Sequence, residues 1–112
     1  MPNSARKDDA GRRSVEPNII RGALNNDFEE VAAALVLSPE SINNVDQITG
    51  GSALHISVGL GNYSMVAYLV EQEGLNLEHK DQIGRDALDL AIQIRHPKIL
   101  ELLYPLYTID LV

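Results

Sequence analysis

The chain writes Asp-Gln-Ile twice, at Asp46 and at Asp81, each time followed by glycine and then by Ala-Leu. The echo extends well beyond those letters. Ser52 and Asp86 stand 34 positions apart, and so do Leu54 and Leu88, Ser57 and Ala91, and Leu69 and Leu103. Ile20, Ala23, Val31 and Leu35 precede apolar or small positions of the middle block by the same 34. An internal repeat of this period constrains the fold strongly, because so short a unit cannot bury its apolar face alone and must stack on its neighbours. The two Asp-Gln-Ile copies lie 35 apart rather than 34, so the first copy's loop carries one extra residue. Thr49, between Ile48 and Gly50, is the natural candidate.

Each block reads loop, short helix, tight turn, longer helix. In the first, Ile20, Ala23 and Leu24 have helical spacing, as do Phe28, Val31, Ala32, Leu35 and Val36. Asn25-Asn26-Asp27 separates the two runs with turn formers and an N-cap, and Ser38-Pro39 ends the second. In the middle block Gly50-Gly51 makes a turn and Ser52 starts a helix, which Gly59, Gly61 and Asn62 break. A second helix there carries Met65, Val66, Leu69 and Val70 and stops near Gly74. In the last, Asp86 starts a helix through Ile94, and Pro97 opens the next, placed well for a first helical position. Ile99, Leu100, Leu102 and Leu103 carry that helix to Pro105. Ser52 and Asp86 are N-cap residues, and His55 and Asp89 each stand three residues on, where a side chain can reach back as in a capping box. Aromatic residues make up only 4% of the chain, which points to an aliphatic, alanine-rich core of closely packed helices.

These residues resemble the ankyrin repeat, a unit of about 33 residues built from a β-turn and two helices with a Thr-Pro-Leu-His helix start. Ser52-Ala53-Leu54-His55 stands in that motif's place, with Ser57 at the small alanine position. Gly61-Asn62 matches the turn between helices, and Gly74 the glycine after the second helix. Asp81-Gln82-Ile83-Gly84 fits the Asp-x-x-Gly turn, and Asp86-Ala87-Leu88-Asp89 replaces the helix-start motif. Arg95 stands where the inter-helix glycine belongs, and the first block lacks the helix-start motif. The expected fold is all-α apart from turns, a solenoid of six short helices. Its repeats span about residues 18–45, 46–80 and 81–105, after a disordered N-terminal tail over 1–17.

Chemistry finds little footing. There is no cysteine, which excludes disulfides, thiolate metal sites and Cys nucleophiles. His55, His79 and His96 lack metal-ligand spacing. Ser52, His55 and Asp46 are a poor Ser-His-Asp site, because Ser52 is occupied as a cap and nothing supplies an oxyanion hole. Glu29 and Glu30 belong to the first turn of a helix, and the glycine pairs lack a GxxxxGK[ST] pattern. No enzyme activity, cofactor or metal is therefore expected. No apolar run approaches a membrane span and no secretory signal opens the chain, so an intracellular, cytoplasmic protein is expected. The net charge is −7, although Arg6, Lys7, Arg12 and Arg13 outnumber Asp8 and Asp9 in the tail. The body is thus acidic, which opposes nucleic acid or anionic membrane as a partner.

The resemblance implies a non-catalytic module that binds another protein through its concave face, as adaptor, inhibitor or targeting element. Residues that neither cap, turn nor pack are the expected contacts. These are Asn25 and Asn26 in the first block, Asp46, Gln47, Ile48 and Leu60 in the second, and Lys80, Gln82, Ile83, Arg85 and Gln93 in the third. Ile48 and Ile83 admit two readings, contact points or staples between adjacent turns, and the reading leans to packing between repeats. The apolar segment 106–112 is read first as a cap over the last repeat, and otherwise as a homodimer contact. A carboxyl-terminal peptide signal, Asp110-Leu111-Val112, is a third reading.

Overall fold

The computed structural model describes residues 15–108, and the fold is an all-α stack of helix-turn-helix repeats. The first repeat holds α1 (Ile19–Leu24) and α2 (Phe28–Leu37), followed by a short 3-10 helix, Pro39–Asn43. The second holds α3 (Ala53–Gly59) and α4 (Tyr63–Leu69), and the third α5 (Ala87–Ile94) and α6 (Pro97–Thr108). First helices form one layer, with α1 against α3 and α3 against α5. Each also packs on its own second helix, and α4 packs on α6. The tail's first fourteen residues and the segment Ile109–Val112, on which the peptide-signal reading rests, lie outside the described residues.

Local chemistry sets the helix starts. Asn18 accepts from the Arg21 N–H, Asp27 from that of Glu30, and Ser52 and Asp86 each complete a capping box, with His55 and Asp89. His96 caps α6 through Nδ1, 3.3 Å from the Ile99 N–H. Just before each second helix the chain must reverse within one residue. It does so at positive φ in Asn26 (53°), Gly61 (73°) and Arg95 (57°). Arg95 thus performs the glycine's turn with a side chain attached.

The core is aliphatic. Ile19, Val31, Ile42, Leu54, Val58, Met65, Val66, Leu69, Ile99 and Leu103 are buried, and small residues sit where the first helices meet: Ala23, Ser57 and Ala91. Two sequence expectations change. Val31 and Leu35 do not take the places of Met65 and Leu69, because α1 has six residues to the seven of α3, so α2 is displaced by one and Val31 corresponds to Val66. Ala34 fills the buried position and Leu35 is half-buried. Pro105 does not end the last helix, which runs on to Thr108. Its missing N–H forfeits one bond in a final turn, where frayed bonds are least costly. The continuation brings Tyr107 against the core, with its hydroxyl buried near Asp86.

Candidate functional site

The loops entering α3 and α5 build one rim of the stack. In the first, the Asp46 N–H donates to the Gly51 carbonyl (2.8 Å), and its carboxylate accepts from the Thr49 N–H (2.9 Å) and hydroxyl (3.1 Å). In the second, the Asp81 N–H donates to the Arg85 carbonyl (2.9 Å). The Asp81 carboxylate accepts the backbone N–H groups of Ile83 (3.1 Å) and Arg85 (2.9 Å) and the Arg85 Nε (2.9 Å), with Nη2 also at 2.9 Å. Burial pushes this carboxyl up, but the hydrogen bonds from Arg85 and Ile83 outweigh it and hold it below the usual carboxylate range. Arg85 Nη1 also donates to Gln93 (2.9 Å).

Successive turns are joined through main-chain atoms. The Gln82 N–H donates to the Thr49 carbonyl (2.9 Å), so the residue that lengthens the first turn supplies the acceptor for the second. His55 receives the Ser52 N–H at Nδ1 (3.4 Å), which leaves its proton on Nε2 to donate to the Arg85 carbonyl, 2.8 Å away. His79 Nε2 bonds the Gly50 carbonyl (2.7 Å), and the two rings meet edge to face, 5.6 Å between centroids. Burial holds the His55 imidazole below its ordinary value, against the Arg85 carbonyl and Asp81, which favour its charged form. His55 is scaffold, as its spacing from Ser52 suggests.

Between this rim and the first helices lies a groove. Leu24, Ile56, Gly59, Leu60 and Leu90 wall a cavity of about 230 Å³, with Thr49, Gly51, His55, Asp81 and Arg85 around it. A shallower depression shares Leu24 and continues to Val45 and Ile48. Another shares Thr49, Asp81 and Arg85 and reaches Ile83. The groove therefore runs along all three repeats.

The expected contacts divide. Ile48 is 82% exposed and Ile83 72%, which overturns their reading as staples between turns. The Gln82–Thr49 backbone bond already joins the turns, and both side chains stand beyond it. Leu60 is exposed at the groove, and Gln47 and Gln82 are exposed on the turns, joined by a 3.4 Å contact from the Gln82 amide to the Gln47 carbonyl. Asp46 and Arg85 are half-buried and occupied by Thr49 and Asp81, while Gln93, although exposed, is held by Arg85. Asn25 and Asn26 are exposed in the reversal between α1 and α2, and Lys80 is exposed ahead of its turn; none of the three lines the groove. Sequence reasoning missed Leu24, Ile56, Leu90 and Gly59. Their signal was positional, since Ile56 and Leu90, like Gly59 and Gln93, are repeat equivalents at the 34-residue spacing.

Among the described residues no cluster of three or more His, Asp or Glu could hold a metal ion, and no helix is long and apolar enough to cross a membrane. The family model described as ankyrin repeats (3 copies) matches residues 19–112, and the chain belongs to the ankyrin-repeat family. Ankyrin repeats are generally protein–protein interaction modules and typically non-catalytic. Similarity extends to a Danio rerio protein named "Putative palmitoyltransferase ZDHHC13", 31% identical over 83 residues covering 65% of this chain. The chain spans about 13% of that relative's length.

Proposed function

We propose that the chain is a non-catalytic binding module that holds a partner protein against its concave face, in an adaptor, inhibitor or targeting role. The observation that carries this reading is the apolar groove, bordered by the exposed side chains of Leu24, Ile48, Leu60 and Ile83. Large aliphatic groups at turn tips contribute nothing to folding when left in water, whereas burying each in an interface contributes roughly 1.5–3 kcal/mol. The partner is another protein rather than nucleic acid or anionic membrane, because the chain is net acidic. The test is a pull-down from the native host, with bound proteins identified and then titrated individually. Ile48→Glu with Ile83→Glu is expected to abolish capture while the thermal transition is kept. Capture of every partner by the folded double variant would sink the reading.

Self-association is a second reading, favoured by Ile92, Tyr104 and Leu106, which the last repeat leaves exposed. Analytical sedimentation of the chain with and without Tyr104→Glu separates the two, since a monomer in both cases rules self-association out.

A further inference from the structure

Gly59 is the last residue of α3, and its repeat equivalent on α5 is Gln93. In the third repeat that position carries a side chain held in place by Arg85 Nη1 at 2.9 Å. In the second it carries nothing, and the vacancy opens into the cavity walled by Leu24, Ile56, Leu60 and Leu90. A Cβ built on Gly59 would meet only Leu90 Cδ2, at 3.6 Å, and its φ is not in the positive range, so neither sterics nor backbone geometry demands a glycine. The absence of a side chain at Gly59 is what leaves the space open. That space, about 230 Å³, is smaller than the ~300–1,000 Å³ of small-molecule sites and suits a single inserted side chain.

The electrostatics specify the rest of the ligand. The basic side chains lining the groove, Arg85 and Arg21, are each paired, with Asp81 and with Glu30. Asp46, half-buried and hydrogen-bonded to Thr49, keeps its charge on the same face with no ion-pair partner among the described residues, within a chain of net charge −7. The face is therefore apolar at its centre and anionic at its edge.

We infer that the groove binds a basic polypeptide segment which seats one bulky apolar side chain, Leu, Met, Phe or Trp, in the vacancy above Gly59. This rests on the concave-face reading and adds an anchor and a charge to it. The apolar anchor supplies most of the affinity, as central buried side chains do in interfaces, while flanking Lys and Arg speed association with the acidic surface.

The test begins with a random-peptide display library selected on the full chain, followed by calorimetric titration of the recovered peptides. The expected binders are rich in Lys and Arg and share one bulky apolar residue. Gly59→Leu, which fills the vacancy, is expected to weaken them by about tenfold or more, and Gly59→Ala by less. Replacing the peptide's bulky residue with Ala is expected to match the Gly59→Leu loss. Val36→Asp, on an exposed site of α2 outside the groove, is expected to change nothing. Thermal unfolding of each variant shows that it remains folded. Binders lost on Ile48→Glu with Ile83→Glu but indifferent to Gly59→Leu overturn the anchor and leave the concave-face reading standing. Binders indifferent to all of these substitutions overturn both. A library that yields acidic binders, or no binder weakened by Gly59→Leu, also overturns the anchor.

Discussion

Arg95 holds a left-handed backbone conformation that its own Cβ opposes, at the position where Gly61 serves the preceding repeat. The left-handed region costs an L-residue about 1–2 kcal/mol, and glycine's greater unfolded entropy returns part of that. Arg95→Gly is therefore expected to stabilise the chain by up to about 1 kcal/mol, read from urea unfolding, and Gly61→Arg to destabilise it. Acid sensitivity also belongs to single residues. His55 is held below the ordinary histidine value, so the unfolded chain takes up its proton first as pH falls. Its contribution is complete above about pH 6.5 and is lost as pH falls through the depressed folded value. Asp81, also depressed, adds a second loss at lower pH, below the ordinary carboxylate range. Urea midpoints measured across pH should show both steps. His55→Gln should flatten the first and Asp81→Asn the second, and an unchanged profile in either would refute that assignment. At this scale the caps were legible, because a capping box is a fixed spacing of polar residues. The Asp81–Arg85 pair was not, since two charges in a loop read as solvated surface until the turn folds one onto the other.

Helices α3 and α5 share cap chemistry but differ at their contact. Ser57 is fully buried and its hydroxyl has no partner, whereas Ala91 fills the equivalent position without a polar atom. Ser57→Ala removes an unsatisfied group, leaves little void and improves helix propensity. It is expected to stabilise by about 1 kcal/mol in thermal or urea unfolding. Ser57→Val, which thickens a contact made by small residues, should destabilise by about 1–3 kcal/mol. The six α-helices could be read from periodicity, whereas the 3-10 helix Pro39–Asn43, which buries Ile42, was missed because five residues are too few to show a period. Registers and ends were harder, since one residue missing from α1 displaced α2 without disturbing its apolar pattern. Pro105 likewise reads as a stop, although a last turn tolerates it when the residues beyond, here Tyr107, have a core to join.

Among the described residues, several long-range bonds converge on the seam between the turn at Asp46 and the turn at Asp81. Gly50 has φ of 73°, and a Cβ there would lie 3.0 Å from the Gln82 backbone N. Gly50→Ala should therefore strain its own turn and push the next one away, costing about 1–3 kcal/mol. The loss should be uneven: hydrogen exchange should accelerate more in α5 and α6 than in α1 and α2, and a uniform change would refute a local joint. The overall architecture was the most legible level, because a 34-residue echo fixes the stacking before any side chain is placed. Which way the turn-tip isoleucines face was not, since alternation along a short turn fits either side. The joints themselves carry a longer consequence. Bonds from Gln82, His55 and His79 all end on backbone carbonyls, those of Thr49, Arg85 and Gly50. Every residue offers such a carbonyl whatever its side chain. Substitutions at the outward-facing tips, Ile48 and Ile83, can then accumulate without loosening the seam between repeats. Lineages carrying this module are free to exchange one partner for another by altering the tips, and a laboratory library confined to those positions should retain a high proportion of folded members.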